Sequence, residues 1–188
     1  MMRELVRIRL RTLAWFLLFP CVFLVVVPWG LARRIQGPCV WEGSLRQWLG
    51  LWLIINGAGL AAWCVQLFNV QGRGTPLPLD PPKQFVVSGP YRVVRNPMAL
   101  ALFTLLAGES LLYRSAAVAG YLLLIIAAVA VFVRCVEEPD LERRFGQPYL
   151  AYKRAIPRWL PRFPQSKRPD RALSRAVPSG NPPSRPAA

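Results

Sequence analysis

Four stretches of this 188-residue chain are nearly free of charge: Thr12 to Ala32, Gln47 to Val70, Pro97 to Leu112 and Ala116 to Val133. A helix that crosses a bilayer needs roughly 20 apolar residues, and about 17 suffice. The first two stretches meet that length. The third and fourth are shorter and are separated only by Tyr113-Arg114-Ser115, which predicts a tight helical hairpin. Four such runs in so small a chain cannot all be buried in a soluble core. The expected fold is therefore all-α and integral to the membrane, with about four transmembrane helices.

Basic residues fill the gaps between these runs. The chain is 54% hydrophobic and carries a formal charge of +15, and segregation of the two along the sequence is the pattern of a membrane protein. It argues against nucleic acid as a partner and for membrane lipid. The first run comes after Arg3, Arg7, Arg9 and Arg11, as a signal peptide would. It is longer than the usual ~7–15 apolar residues and ends in Leu31-Ala32-Arg33-Arg34 without a small-residue cleavage pattern, so a spanning helix is expected.

Arginine and lysine placement sets the expected orientation. Four basic residues precede the first run, four lie in the 71–96 loop, and eleven come after Glu137. The intervening loop has three, and the hairpin tip only Arg114. Both termini and the 71–96 loop are expected in the cytoplasm, with the protein in an inner or plasma membrane. The chain thus divides into three parts: 1–70 with two transmembrane helices, 71–163 as the functional core, and 164–188 as a basic tail. That tail, rich in Pro, Ser and Arg, has no core-forming pattern and is expected to be disordered.

The chain has no histidine, and its cysteines at 21, 39, 64 and 135 are scattered. This removes the usual Cys/His metal sites and every Ser-His or Cys-His nucleophile, so no metal ligands are assigned.

Two polar junctions remain to be explained. In GPYRVVRNPM (Gly89 to Met98), Gly89-Pro90 forms a turn, Asn96 suits an N-cap, and Pro97 suits the first position of a helix. Unpaired N–H groups of that helix start, beside Arg92 and Arg95, would attract a carboxylate or phosphate. At the end of the fourth run, Glu137, Glu138, Asp140 and Glu142 place four of nine acids within six residues. Arg134 and Glu138 are four apart and are expected to share a helix face. Gly72-Arg73-Gly74-Thr75 permits close backbone approach to a ligand, but no strand precedes it, which excludes a dinucleotide-binding fingerprint. Glu109 is the one acid inside an apolar run and is expected to make a structural polar contact, with Arg114 as its nearest partner in sequence. Leu141, Phe145, Tyr149 and Tyr152 recur at helical spacing, giving a cytoplasmic amphipathic helix bent near Gly146 and Pro148.

In this order the pieces resemble the integral-membrane methyltransferases related to isoprenylcysteine carboxyl methyltransferase and phosphatidylethanolamine N-methyltransferase. The resemblance runs from about Gly72 to Arg162, through GRGTPLPLDPPKQFVVSGPYRVVRNPM, the hairpin, and EEPDLERRFGQPYLAYKRAIPRWLPR. It implies S-adenosylmethionine as cofactor, held by Gly72, Gly74, Tyr91, Arg95, Asn96, Pro97, Met98, Glu137 and Glu138. Arg134 and Glu138, expected on one helix face, are the candidate catalytic residues. The implied substrate is a lipophilic small molecule, either isoprenylcysteine carboxylate-like or phospholipid-like, methylated at the cytoplasmic membrane face. Many relatives carry histidine where this chain has Asn96. A non-enzymatic membrane subunit that keeps the scaffold is the alternative, and oligomeric state is left open.

Overall fold

The computed structural model describes residues 22–37, 40–72 and 87–160. Within them all regular structure is helical. A π turn (Val22–Val26) leads into α1 (Val27–Gln36), and α2 (Leu45–Leu67) ends in a second π turn (Phe68–Gly72). A 3₁₀ turn (Gly89–Arg92) precedes α3 (Pro97–Leu112). Next come α4 (Ala116–Phe132), a third π turn (Val133–Glu137), α5 (Glu138–Phe145) and α6 (Gln147–Ala155). The expected disordered tail, Gly74, and the beginning of the first run lie outside the described residues.

Among the described residues two helices are long and apolar enough to cross a membrane: α2, and the continuous helix from Ala116 to Phe145, whose apolar part ends at Val133. Both are mostly unburied within the protein. The apolar α3, at 16 residues, is shorter, about 24 Å at 1.5 Å per residue.

The pairing of α2 with α3 is the most extensive among the described residues, and glycines make it possible. A Cβ on Gly50 would lie 2.7 Å from the Gly108 carbonyl oxygen, and one on Gly108 would lie 2.6 Å from that of Gly50. Gly57 meets Ala101 and Leu105 in the same way. Such backbone-to-backbone approach is how apolar helices associate where lipid removes the hydrophobic drive.

At the start of α2, Ser44 and Gln47 form a capping box. Fully buried Gln47 also donates from Nε2 to the Val40 carbonyl at 2.8 Å and accepts from the Glu42 N–H at 3.0 Å. The hairpin closes through Arg114 at φ 54° and Ser115, whose hydroxyl caps the Val118 N–H. Arg114 pairs with Glu42 rather than with Glu109, and the Glu42 N–H is itself held by the Gln47 side chain. Glu109 is buried, and its Oε2 has no partner among the described residues. The expected Glu109–Arg114 contact is absent.

The expected bent amphipathic helix is two helices. Gly146, at φ 58° and ψ −131°, separates α5 from α6. Tyr149 and Tyr152 face inward, clustering with Ile156 against Val87, Leu141 and Phe145.

Candidate functional site

One end of the bundle gathers the start of α3, the end of α4 and the residues after α6. Gly89 opens the approach at φ 54°, and any Cβ there would press on Leu67 and Trp63. The 3₁₀ turn buries Tyr91, whose ring packs edge-on against Phe68 at 5.4 Å, with Cys64 and Met98 beside it. Tyr152 donates its hydroxyl proton to the Tyr91 carbonyl at 2.7 Å. The Arg95 N–H donates to the Pro157 carbonyl at 2.9 Å. Trp159 lies 5.9 Å from Phe103 on α3. The segment after α6 is thus fastened along the beginning of α3.

Asn96 does not cap α3 with its side chain. Its amide donates instead to the Arg158 carbonyl at 3.3 Å, drawn away by the strap that crosses there. Pro97 does occupy the start of the helix. The first-turn N–H groups of Met98 and Ala99 have no acceptor within the helix, as at every helix start.

Glu138, 4% exposed, is the electrostatic centre of this end. Its Oε1 accepts from Arg95 Nη1 at 2.9 Å and from Arg158 Nε at 2.7 Å. Its Oε2 accepts from Arg158 Nη2 at 2.9 Å and lies 3.2 Å from Lys153 Nζ. Burial alone would raise the Glu138 pKa, but the Arg158 hydrogen bonds and the Arg95 charge outweigh it and hold it below the ordinary value. Lys153 also pairs with Glu142, and that bond, with those to Glu138, raises its own pKa.

Arg134 is exposed and makes no ion pair with Glu138, contrary to the face shared in a regular helix. The cause is the π turn, in which the Glu138 N–H bonds the Val133 carbonyl five residues back. One extra residue in a turn rotates the helix beyond it by about 100°. That rotation brings Glu138 toward the face on which Val133 is buried, leaving Arg134 outside.

Glu137 differs from its neighbour. It is half-buried, accepts no hydrogen bond among the described residues, and has its pKa raised by burial and then by the Glu138 charge. Arg95 contributes a second group: its side chain is 10% exposed, and its Nε is buried without a partner among the described residues. One end of the bundle therefore offers a helix start and, unpaired among the described residues, a carboxylate and a guanidinium N–H.

Of the residues singled out in sequence, Tyr91, Arg95, Asn96, Pro97, Met98, Glu137 and Glu138 fall at this end. Gly72 closes the π turn after α2, and Gly74 lies outside the described residues. Sequence reasoning missed Lys153 and Arg158. Lys153 sits beside Tyr152 on α6, within reach of spacing arguments. Arg158 meets Glu138 across 20 residues and a glycine break, and no local pattern signals it.

The sequence profile of the phospholipid methyltransferase family matches residues 45–148. No curated protein and no solved structure matches the chain.

Proposed function

Because the chain belongs to the phospholipid methyltransferase family, we propose that it transfers a methyl group from S-adenosylmethionine to a lipophilic acceptor at the membrane surface. The observation that carries this reading is the 2.9 Å bond between Arg95 and Glu138. It joins the start of α3 to the acidic turn after α4, two segments 43 residues apart.

The unpaired groups fit the cofactor's charges. A carboxylate suits Arg95 Nε and the first-turn N–H groups of α3. Glu137, without a partner among the described residues, suits an ammonium or ribose hydroxyls, and its pKa is raised by burial and then by the Glu138 charge. Glu138, already saturated, acts by holding Arg95 in place. Tyr91 and Met98 supply apolar surface, and Gly72 and Gly74 allow close backbone approach. When bound, S-adenosylmethionine supplies an electrophilic methyl group. The protein's part is to align the acceptor and keep water out.

Arg134, exposed between Phe132 and Val136, is available to an anionic group of the acceptor, a phosphate or carboxylate. An already ionised carboxylate acceptor needs no base, and the family supports a phospholipid-like one. The same reading has four spans, with both termini and this site on the cytoplasmic face of an inner or plasma membrane. Arginine and lysine distribution supports that orientation.

The test is incubation of purified protein with methyl-labelled S-adenosylmethionine and phospholipid or prenylated-cysteine acceptors in vesicles. Label entering the lipid fraction supports transfer. Absence of both transfer and cofactor binding would favour the non-enzymatic subunit.

A further inference from the structure

The face of α2 turned away from α3 carries a pattern that packing among the described residues uses only at Trp63, whose ring edge lies beside Gly89. Gly50, Gly57 and Cys64 are buried on the side toward α3. Opposite them, Leu49, Trp52, Asn56, Gly59, Trp63 and Gln66 are all exposed. Their spacing alternates three and four residues, which is the seam of a two-stranded helix pair.

Asn56 decides what covers this seam. It is the twelfth of the 23 residues of α2, and so lies near the bilayer centre if α2 spans. Its Nδ2 donates to the Trp52 carbonyl at 2.7 Å, which uses one of its two amide protons and leaves Oδ1 without a partner among the described residues. Hydrocarbon offers no partner for either remaining group. One turn away, the space where a Gly59 Cβ would stand is empty to 4 Å, so another helix backbone can approach closely there.

We propose that α2 pairs with α2 of a second copy of this chain, in a two-fold dimer whose axis runs along the membrane normal. Copies inserted in the same direction carry Asn56 at the same depth. An amide has both a donor and an acceptor, so two Asn56 side chains satisfy each other reciprocally. A single such polar residue in an apolar seam fixes register and oligomer state. Trp52 and Trp63 flank the Gly59 gap and fill the space beside it. The pairing leaves the α2–α3 contact intact. It rests on α2 spanning the bilayer, not on methyl transfer.

The experiment co-reconstitutes donor- and acceptor-labelled full-length protein in phosphatidylcholine–phosphatidylglycerol vesicles and tracks energy transfer against protein-to-lipid ratio. Asn56→Leu is expected to weaken association roughly three- to twentyfold, the range for interhelical amide bonds in membranes. Asn56→Gln should retain it, Gly59→Leu should weaken it, and Leu124→Ala on the exposed face of α4 should leave it unchanged. Cofactor affinity, measured on the same samples, should be equal in the parent and Asn56→Leu, separating this result from the methyltransferase reading. Energy transfer no greater than random proximity at every ratio overturns the proposal. So does association that Asn56→Leu leaves unaltered, or that Asn56→Leu and Asn56→Gln weaken equally.

Discussion

Glu137 and Glu138 adjoin in sequence yet meet opposite surroundings, and the difference separates two roles. Glu138 accepts from Arg95 and Arg158 and lies against Lys153. Removing one partner from a buried ion cluster costs about 3–5 kcal/mol; here about 3 is expected, because Lys153 and Arg158 keep roughly a third of their side-chain surface exposed. Glu138→Gln should therefore lower the thermal midpoint in detergent clearly. Glu137→Gln should leave the midpoint unchanged or raised, since it removes a charge that burial disfavours. It should weaken S-adenosylmethionine binding about ten- to hundredfold, equivalent to a charged hydrogen bond of ~1.5–3 kcal/mol. Equal affinity of Glu137→Gln and the parent would remove that carboxylate from the site. A pH series gives an independent check. The folded Glu138 pKa is below its ordinary 4.5, so its stabilisation is complete above 4.5 and is lost as pH falls through the lowered value. Melts below pH 4.5 should show that loss in the parent and a shallower one in Glu138→Gln.

Among the elements, two glycine positions carry the most consequence. Gly108→Ala places a methyl 2.6 Å from the Gly50 carbonyl, and overpacking of this kind costs about 1–3 kcal/mol. The α2–α3 pair should loosen, seen as a lower thermal midpoint, whereas Gly120→Ala, with open space around it, should not. Gly146→Ala strains the backbone between α5 and α6 at φ 58°, by about 1–3 kcal/mol, and should raise proteolytic cutting there. Sequence makes the hairpin legible, because Tyr113-Arg114-Ser115 interrupts two apolar runs, and it makes the start of α3 legible through Pro97. The π turn at Val133–Glu137 is not legible. A single added residue changes no periodicity visible over so short a span, yet it moves Glu138 away from Arg134. The side-chain cap expected of Asn96 fails for a related reason: its acceptor, the Arg158 carbonyl, is 62 residues away. Long-range ion pairs and side-chain-to-backbone bonds leave no mark on local pattern.

For the whole molecule, the distribution of basic residues predicts cytoplasmic termini, testable by labelling an engineered cysteine near Ala188 from either side of sealed vesicles. Deleting the tail after Pro164 should leave cofactor affinity nearly unchanged, and a tenfold loss would show that the tail contributes to the site. The central claim is that the bundle end joining α3 to the acidic turn holds S-adenosylmethionine. Its most direct test is titration of the cofactor into nanodisc-embedded protein, parent beside Arg95→Met and Glu137→Gln, with folding checked by melts. Saturable binding by the parent, weakened at least tenfold by each substitution in a folded protein, is the expected result. No binding by the parent where a known methyltransferase binds, or equal binding by all three, would contradict it.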